Sequence, residues 1–455
     1  MSRGIVSYAA YVPRHRLQRA ELGAALGSGG GKGSRSVASF DEDATTMGVE
    51  AARRTLGDGA PGSLFFATTA PAYLDKTNAT AIHAALDLGH EGFALDIAGS
   101  ARGATGALRA AAQDGGLAVL ADVRTGRPGS ADESGSGDGA AAFRFGDGDR
   151  VLAEVLGEAS ATAEFLDHWR APGSHASQQW EERFGLEAYL PLVRDAARRA
   201  LDAAGIEQPD HVIVSSPHAR TQATAAKELA GRTAEEAPAI GYAGAADPGI
   251  RLAAVLDRAG SGETILLVVA ADGCDATVLH TTDQLPSGRA GIPVAEQAAS
   301  GRDIAYATFL TWRGLLEREP PRRPEPGRPA GPPSARSEAW KFAFVGSQCD
   351  VCGQVHVPPR RVCVNCRAVD AMSRAPLAGK SGQVATYTVD RLAFSPAPPM
   401  IDAVVDFEGG GRYTLEVADA SPEEIEIGTP VELTFRRLYT SGGVHNYFWK
   451  VRPRG

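Results

Sequence analysis

The sequence predicts a layered α/β unit over residues 1–316, followed by a small metal-binding module and a five-stranded β-barrel. Three observations carry this expectation. Strand-like and helix-like runs alternate through the long N-terminal part. Over Glu317–Arg336, reading EREPPRRPEPGRPAGPPSAR, seven prolines and alternating charge leave nothing to bury. Beyond that break, four cysteines at Cys349-x2-Cys352-x10-Cys363-x2-Cys366 precede short alternating runs separated by glycines.

The 455 residues are too many for one ordinary core. With 43% apolar and 22% charged residues the composition is that of a soluble globular protein, and abundant Ala and Gly suit tight helix-on-sheet packing. A formal charge of -9 argues against nucleic acid or an anionic membrane as partner, since both call for a surplus of Lys and Arg on one face. No apolar run approaches the roughly 20 residues needed to span a bilayer. The start, Met1-Ser2-Arg3-Gly4-Ile5-Val6, leads directly into a strand without a signal-peptide pattern, so a cytoplasmic location is expected. Cys274 stands outside the metal set, and one odd thiol beside it fits a reducing compartment.

Strands are expected at Leu64–Thr68, Ala94–Ile97, Gly116–Ala121, His211–Ser215 and Thr264–Ala270. Helices are expected at Thr45–Leu56, Asn78–Leu86, Gly103–Gln113, Leu192–Ala204 and Arg251–Arg258, with apolar residues at i, i+3 and i+4. The order in the first half repeats in the second: helix, strand, polar turn, helix. An internal duplication follows, with halves at 1–165 and 166–316, a linker at 317–337, the metal module at 338–375 and the barrel at 376–455. Any doubly wound α/β protein remains the alternative on periodicity alone.

Seven stretches in order resemble the thiolase superfamily, in the branch of hydroxymethylglutaryl-CoA synthase and 3-ketoacyl-carrier-protein synthase III. They are Gly4–Pro13, Asp41–Met47, Leu120-Ala121-Asp122, Gly137–Ala142, Pro217-His218, Gly241–Ala246 and Ala270–Ala276. The resemblance implies a duplicated five-layer αβαβα thiolase fold that buries a strand edge between two protomers. It also implies a nucleophilic Cys at the start of a buried helix, assisted by His and Asn. In the matching segment, Asp96–Leu108, the nucleophile position falls on Ala101. Ser100 is adjacent, but a serine without a paired base is a poor nucleophile, and a helix cap is its plainer role. Thr69 stands where the branch carries an acidic residue, and Tyr242 where it carries the Asn. Only the histidine is kept, as His218. These replacements remove the ordinary Claisen condensation. They leave a non-catalytic acyl-CoA binder, or chemistry without an acyl-enzyme, such as aldol cleavage with His218 or Tyr242 as base. Tyr242 would need its pKa lowered for that; the alternative is that it fills the space of a vacated site.

The two Cys-x2-Cys knuckles specify one tetrahedral Zn with no open position, hence a structural site; four thiolates also suit iron. With that set complete, His356 between the knuckles is expected at the surface. Strands of the barrel are expected at Gly382–Val389, Ile401–Phe407, Gly411–Val417, Val431–Arg436 and His445–Val451. Trp340–Pro453 resembles the DUF35 family, a rubredoxin-like zinc ribbon fused to an OB β-barrel, through Gly346-x2-Cys349-x2-Cys352-Gly353, Val357–Cys366 and Ile427–Val431. The barrel lacks the basic, aromatic face that stacking on bases requires. Members of that family accompany thiolases in CoA-dependent complexes. The resemblance therefore implies a CoA thioester as ligand, with Arg360 and Arg361 near its phosphates, or else merely in a solvated turn. It implies as partner a separate thiolase subunit joined to a homodimeric core.

Overall fold

The computed structural model describes residues 4–27, 30–57, 59–229, 233–234 and 239–454; Met1-Ser2-Arg3, part of the expected leaderless start, lie outside them. The chain divides into two compact units. The first comprises Met1–Ala38, Asp43–Thr80 and His90–Phe309, the second Ser39–Glu42, Ala81–Gly89 and Leu310–Gly455.

Ten strands form the sheet of the first unit. In chain order they are β1 (Gly4–Tyr11), β2 (Ser63–Thr68), β3 (Phe93–Ala98), β4 (Leu117–Asp122), β5 (Gly139–Gly146), β6 (Ala153–Ala161), β7 (His211–Ser215), β8 (Thr233–Ala234), β9 (Thr264–Ala270) and β10 (Cys274–Thr281). Across the sheet they run β3-β2-β4-β5-β1 and then β6-β10-β9-β7-β8. Each strand of the first half thus has its counterpart five strands later, at the mirrored place. Pairing repeats as well: β2 is parallel to β3 and β4, and β7 to β8 and β9, while the remaining pairs are antiparallel. Within the sheet, among the described residues, the two sets of five strands join where Gly4 and Ile5 of β1 pair with Glu154 and Ala153 of β6. The duplication expected from element order is present strand for strand.

Helices α1 (Ala44–Arg53), α2 (Gly103–Asp114), α3 (Glu182–Ala204), α4 (Ala219–Glu228) and α5 (Asp247–Leu256) complete the layers. Asp43 caps α1 by accepting from the Thr46 amide at 2.9 Å while the Thr46 hydroxyl accepts from the Asp43 amide, so the helix starts one residue before the expected Thr45. Ala104, Ala107 and Ala111 of α2 share one apolar core with Ile250, Leu252 and Val255 of α5. Tyr189, Val193 and Ala196 of α3 share another with β6, β9 and β10. Small residues permit this closeness: a Cβ on Gly157 of β6 would stand 2.5 Å from the Ala200 carbonyl oxygen of α3.

Helix α3 departs most from expectation. It begins at residue 182 rather than 192 and runs through Pro191. A proline inside a helix costs about 3 kcal/mol. Leu186, Tyr189 and Leu190 extend the apolar stripe upstream of it, Tyr189 being only 1% exposed, and their burial offsets that cost.

In the second unit the expected extended linker contains a short helix, Gly331–Arg336. A three-stranded ribbon of Val345–Cys349, Val355–His356 and Met372–Pro376 precedes a five-stranded antiparallel sheet of Ser381–Asp390, Met400–Phe407, Arg412–Glu416, Pro430–Ser441 and Val444–Pro453. Phe344 makes ring pairs with Phe407, Tyr413, Phe448 and Trp449. His356 is a correction to the sequence reading: it is 5% exposed, because strand pairing with Ser347 turns it inward, and its Nε2 has no hydrogen-bond partner. Among the described residues no helix is long and apolar enough to cross a membrane.

Candidate functional site

Side chains of interest in the first unit gather at the carboxyl ends of its parallel strands, where turns to the following helices leave room for a ligand. Ser100 and Ala101 follow β3, Thr69 follows β2, Arg124 follows β4, His218 follows β7, and Ala271 and Asp272 follow β9. A cavity of about 70 Å³ is lined by Ser100, Ala101, Thr69, Tyr242 and Asp272. A larger one of about 500 Å³ is lined by His218, Tyr242, Asp132, Gln179 and Arg251. His168, Pro217 and Tyr242 belong to both walls. The fold therefore collects all four sequence candidates, Ala101, Ser100, His218 and Tyr242, around one tyrosine.

No cysteine lines either cavity among the described residues. Cys274 opens β10 inside an apolar cluster with Tyr189 and Val193. Burial, and after it the charge of Asp275, pushes its thiol up to about 12, so it remains protonated at neutral pH. Ser100 accepts from the Arg102 amide at 3.1 Å in the turn before α2, whose N-cap position is Arg102 and carries no side-chain cap, so Ser100 is not the helix cap expected of it. Its own hydroxyl donates to Asp272, so it does have an acceptor for its proton, which the sequence reading did not foresee.

His218 caps α4. Its Nδ1 accepts from the Thr221 amide at 3.0 Å and lies 2.8 Å from the Thr221 hydroxyl. Since the amide can only donate, Nδ1 carries the lone pair and Nε2 the hydrogen. Tyr242 has its pKa raised well above the usual phenol value, first by burial and then by Asp247. A base at that position would need the opposite shift. That shift favours the neutral phenol, which is an O–H donor.

Several groups escaped sequence reasoning. Asp122 accepts from the Thr68 hydroxyl at 3.0 Å, the Thr69 amide at 2.9 Å, the Thr69 hydroxyl at 2.8 Å and the Ala245 amide at 2.7 Å, tying the turn after β2 to the segment that carries Tyr242. Arg124 donates to Asp132 at 3.0 Å and lies with its guanidinium carbon 5.9 Å from the Tyr242 ring centre. Asp167 is 1% exposed, and neither carboxylate oxygen has a hydrogen-bond partner. Burial raises its pKa, partly offset by His218. The run Asp167-His168-Trp169-Arg170 offered one usable signal, ionisable and aromatic side chains concentrated outside any helical pattern.

In the second unit the Sγ atoms of Cys349, Cys352, Cys363 and Cys366 lie within 4.8 Å of one another. The Cys349–Cys366 pair is at 3.5 Å and Cys352–Cys363 at 3.6 Å. These separations are far beyond the S–S bond of about 2.05 Å. They suit the roughly 3.8 Å edge of a tetrahedron with Zn–S near 2.3 Å. Arg361 pairs bidentately with Asp370, both contacts at 2.7 Å, while the Arg360 amide donates to Ser347 at 2.9 Å.

The comparisons agree with this division. Residues 342–371 match the family described as ChsH2, rubredoxin-like zinc ribbon domain, and residues 375–436 match ChsH2, C-terminal OB-fold domain. Among solved structures, one titled as a complex of HMG-CoA synthase with CoA superposes with a TM-score of 0.61 at 14% identity, over 68% of this chain and 90% of that one. The 3-oxoacyl-(acyl carrier protein) synthase III of Pseudomonas aeruginosa gives 0.56 at 20% identity, over 62% and 98%. Both share the thiolase fold. In sequence, the hydroxymethylglutaryl-CoA synthase of Archaeoglobus fulgidus is 31% identical over 343 residues, 69% of this chain and 99% of its own length. That of Pyrococcus horikoshii is 30% identical over 336 residues, 68% and 95%. With such relatives covered almost end to end, and the duplicated sheet in place, the chain belongs to the hydroxymethylglutaryl-CoA synthase family.

Proposed function

We propose that this protein binds acyl-CoA without forming an acyl-enzyme, and that it works with a separate, active thiolase in making or breaking C–C bonds of CoA thioesters. Ala101 carries this reading. By the resemblance it falls at the nucleophile position, no cysteine lines the cavity beside it among the described residues, and burial keeps the Cys274 thiol protonated. Thr69 and Tyr242 in place of an acid and an amide point the same way. The retained cavity and the CoA complex of a fold relative support thioester binding. The zinc-ribbon and OB unit is the proposed bridge to the thiolase, with Arg360 and Arg361 as candidates to meet CoA phosphates. The outer strand β3, with Phe93 56% and Leu95 42% exposed, supports a homodimer paired edge to edge.

Purified protein given acetyl-CoA and acetoacetyl-CoA is expected to yield no condensation product and no acylated residue. Ala101→Cys is expected to gain an acyl adduct detectable by mass spectrometry. Condensation by the unaltered protein alone overturns the reading. A second reading, a self-sufficient acyltransferase or aldolase, is favoured by the polar groups that still line the cavity, and uses His218 with Tyr242 or Ser100. It predicts turnover lost in His218→Ala.

A further inference from the structure

His168 sits on a two-residue strand, His168–Trp169, paired with Gln178–Gln179. It is placed in the wall shared by both cavities, between the Ala101 side and the His218 side. Its Nε2 lies 3.5 Å from Arg124 Nη2. A guanidinium has hydrogens and no lone pair, so this contact is favourable only when Nε2 presents its lone pair and the ring hydrogen is on Nδ1. Arg124 is itself fixed by Asp132, whose Oδ1 also accepts from the Ser136 hydroxyl at 2.8 Å. Burial, and then Arg124, lowers the His168 pKa, so the ring is neutral at physiological pH.

The surroundings sharpen the consequence. Among the described residues the larger cavity has no Leu, Ile, Val, Met or Phe in its lining. His168, Gln179 and Tyr242 set polar groups among alanine, glycine and proline surfaces, and an alkyl chain lying over those groups would strip their water without a hydrogen bond in return. A neutral imidazole of fixed tautomer at His168 and a neutral phenol at Tyr242 are donors that call for oxygen acceptors.

We infer that His168 is a specificity-determining residue: its Nδ1–H donates to an oxygen on the acyl portion of the bound thioester, selecting keto- or hydroxy-bearing acyl groups over alkyl ones. Arg124 and Asp132 are positioning residues that hold the tautomer. This rests on the reading that acyl-CoA enters the cavity.

The test measures binding of 3-oxobutanoyl-CoA and butanoyl-CoA to the full-length protein by titration calorimetry. The unaltered protein is expected to prefer the oxo compound by about tenfold, the size of one well-placed hydrogen bond. His168→Phe, which keeps a ring and removes both nitrogens, is expected to lose the preference while binding butanoyl-CoA unchanged. His168→Asn, whose amide nitrogen can stand near the Nδ1 position, is expected to keep it, and so separates lost donation from lost folding. A preference that survives in His168→Phe overturns the inference, as does equal binding of both thioesters by the unaltered protein. Binding of neither thioester by the unaltered protein sinks the acyl-CoA reading itself, and this inference with it.

Discussion

The carboxylate of Asp167 and the imidazole of His218 converge on a single glycine: Asp167 Oδ1 lies 2.7 Å and His218 Nε2 2.8 Å from the point where a Cβ on Gly185 would stand. Gly185 belongs to the first turns of α3, so the missing side chain is what lets helix, acid and imidazole share the space. Gly185→Ala is expected to displace one of them and to destabilise the protein by about 1–3 kcal/mol, the usual penalty of overpacking. Thermal unfolding checks the stability, and acyl-CoA titration checks the site. An unchanged Tm with unchanged binding would contradict the close approach.

Asp167 also sets a pH dependence. Its folded pKa is raised by burial, so folding favours the protonated form. The associated stability is present below the unfolded value of about 3.9 and is lost as pH rises through the folded value. Asp167→Asn, which cannot ionise, is therefore expected to be more stable than the unaltered protein at pH 7–8. The difference should vanish below pH about 3, where the carboxyl is protonated in both the folded and the unfolded chain. Denaturant titrations at the two pH values read it directly, and an Asn variant less stable at pH 8 would reverse the assignment.

Within the second unit, Arg436 is fully buried and its Nη1 lies 3.3 Å from Asp41 and 2.9 Å from Glu42, while Lys450 reaches Asp41 at 2.9 Å and Glu416 at 2.7 Å. Burial alone would raise the Asp41 pKa, but Lys450 and Arg436 hold it well below the usual carboxylate range. Arg436→Ala leaves Asp41 with Lys450 alone and takes from buried Glu42 its ion pair with Arg436, and is expected to cost about 3–5 kcal/mol. The sign at low pH follows from the depressed pKa: this stabilisation is present above the unfolded pKa of about 3.9 and fades as pH falls below it. Urea unfolding monitored through the tryptophans checks both statements.

One zinc per chain is expected from elemental analysis, and Cys363→Ser is expected to lose it. A four-sulfur site with no open position stabilises its ribbon and does no chemistry. Zinc removal should therefore unfold the ribbon, leave the first unit folded, and weaken acyl-CoA binding by the share that Arg360 and Arg361 contribute to it. A zinc-free protein of undiminished stability would argue against a structural metal.

Much of the site was legible because its signals are local. Two Cys-x2-Cys knuckles declare a metal set by spacing alone, and the structure closes them within tetrahedral reach. The strand at His211–Ser215 was readable from five consecutive residues and was found with the same ends. The absence at Ala101 was equally readable, since a residue that cannot be a nucleophile is visible in one letter. Less legible was everything that depends on a partner far along the chain. Ser100 and Asp272, or Arg436 and Asp41, are joined only after the sheet has assembled.

What the sequence determined by itself, then, was the duplicated order of elements, the four-cysteine metal set and the identity of residue 101 as Ala, because periodicity, spacing and residue identity are properties of short stretches. Only the tertiary structure decided that α3 runs upstream through Pro191, bringing Gly185 and Tyr189 to His218, and that Arg124, Asp132 and His168 form one group at the cavity wall. Local propensity argued for a break at the proline. Burial of the apolar stripe, available only once the second half of the sheet was there to cover it, outweighed that preference.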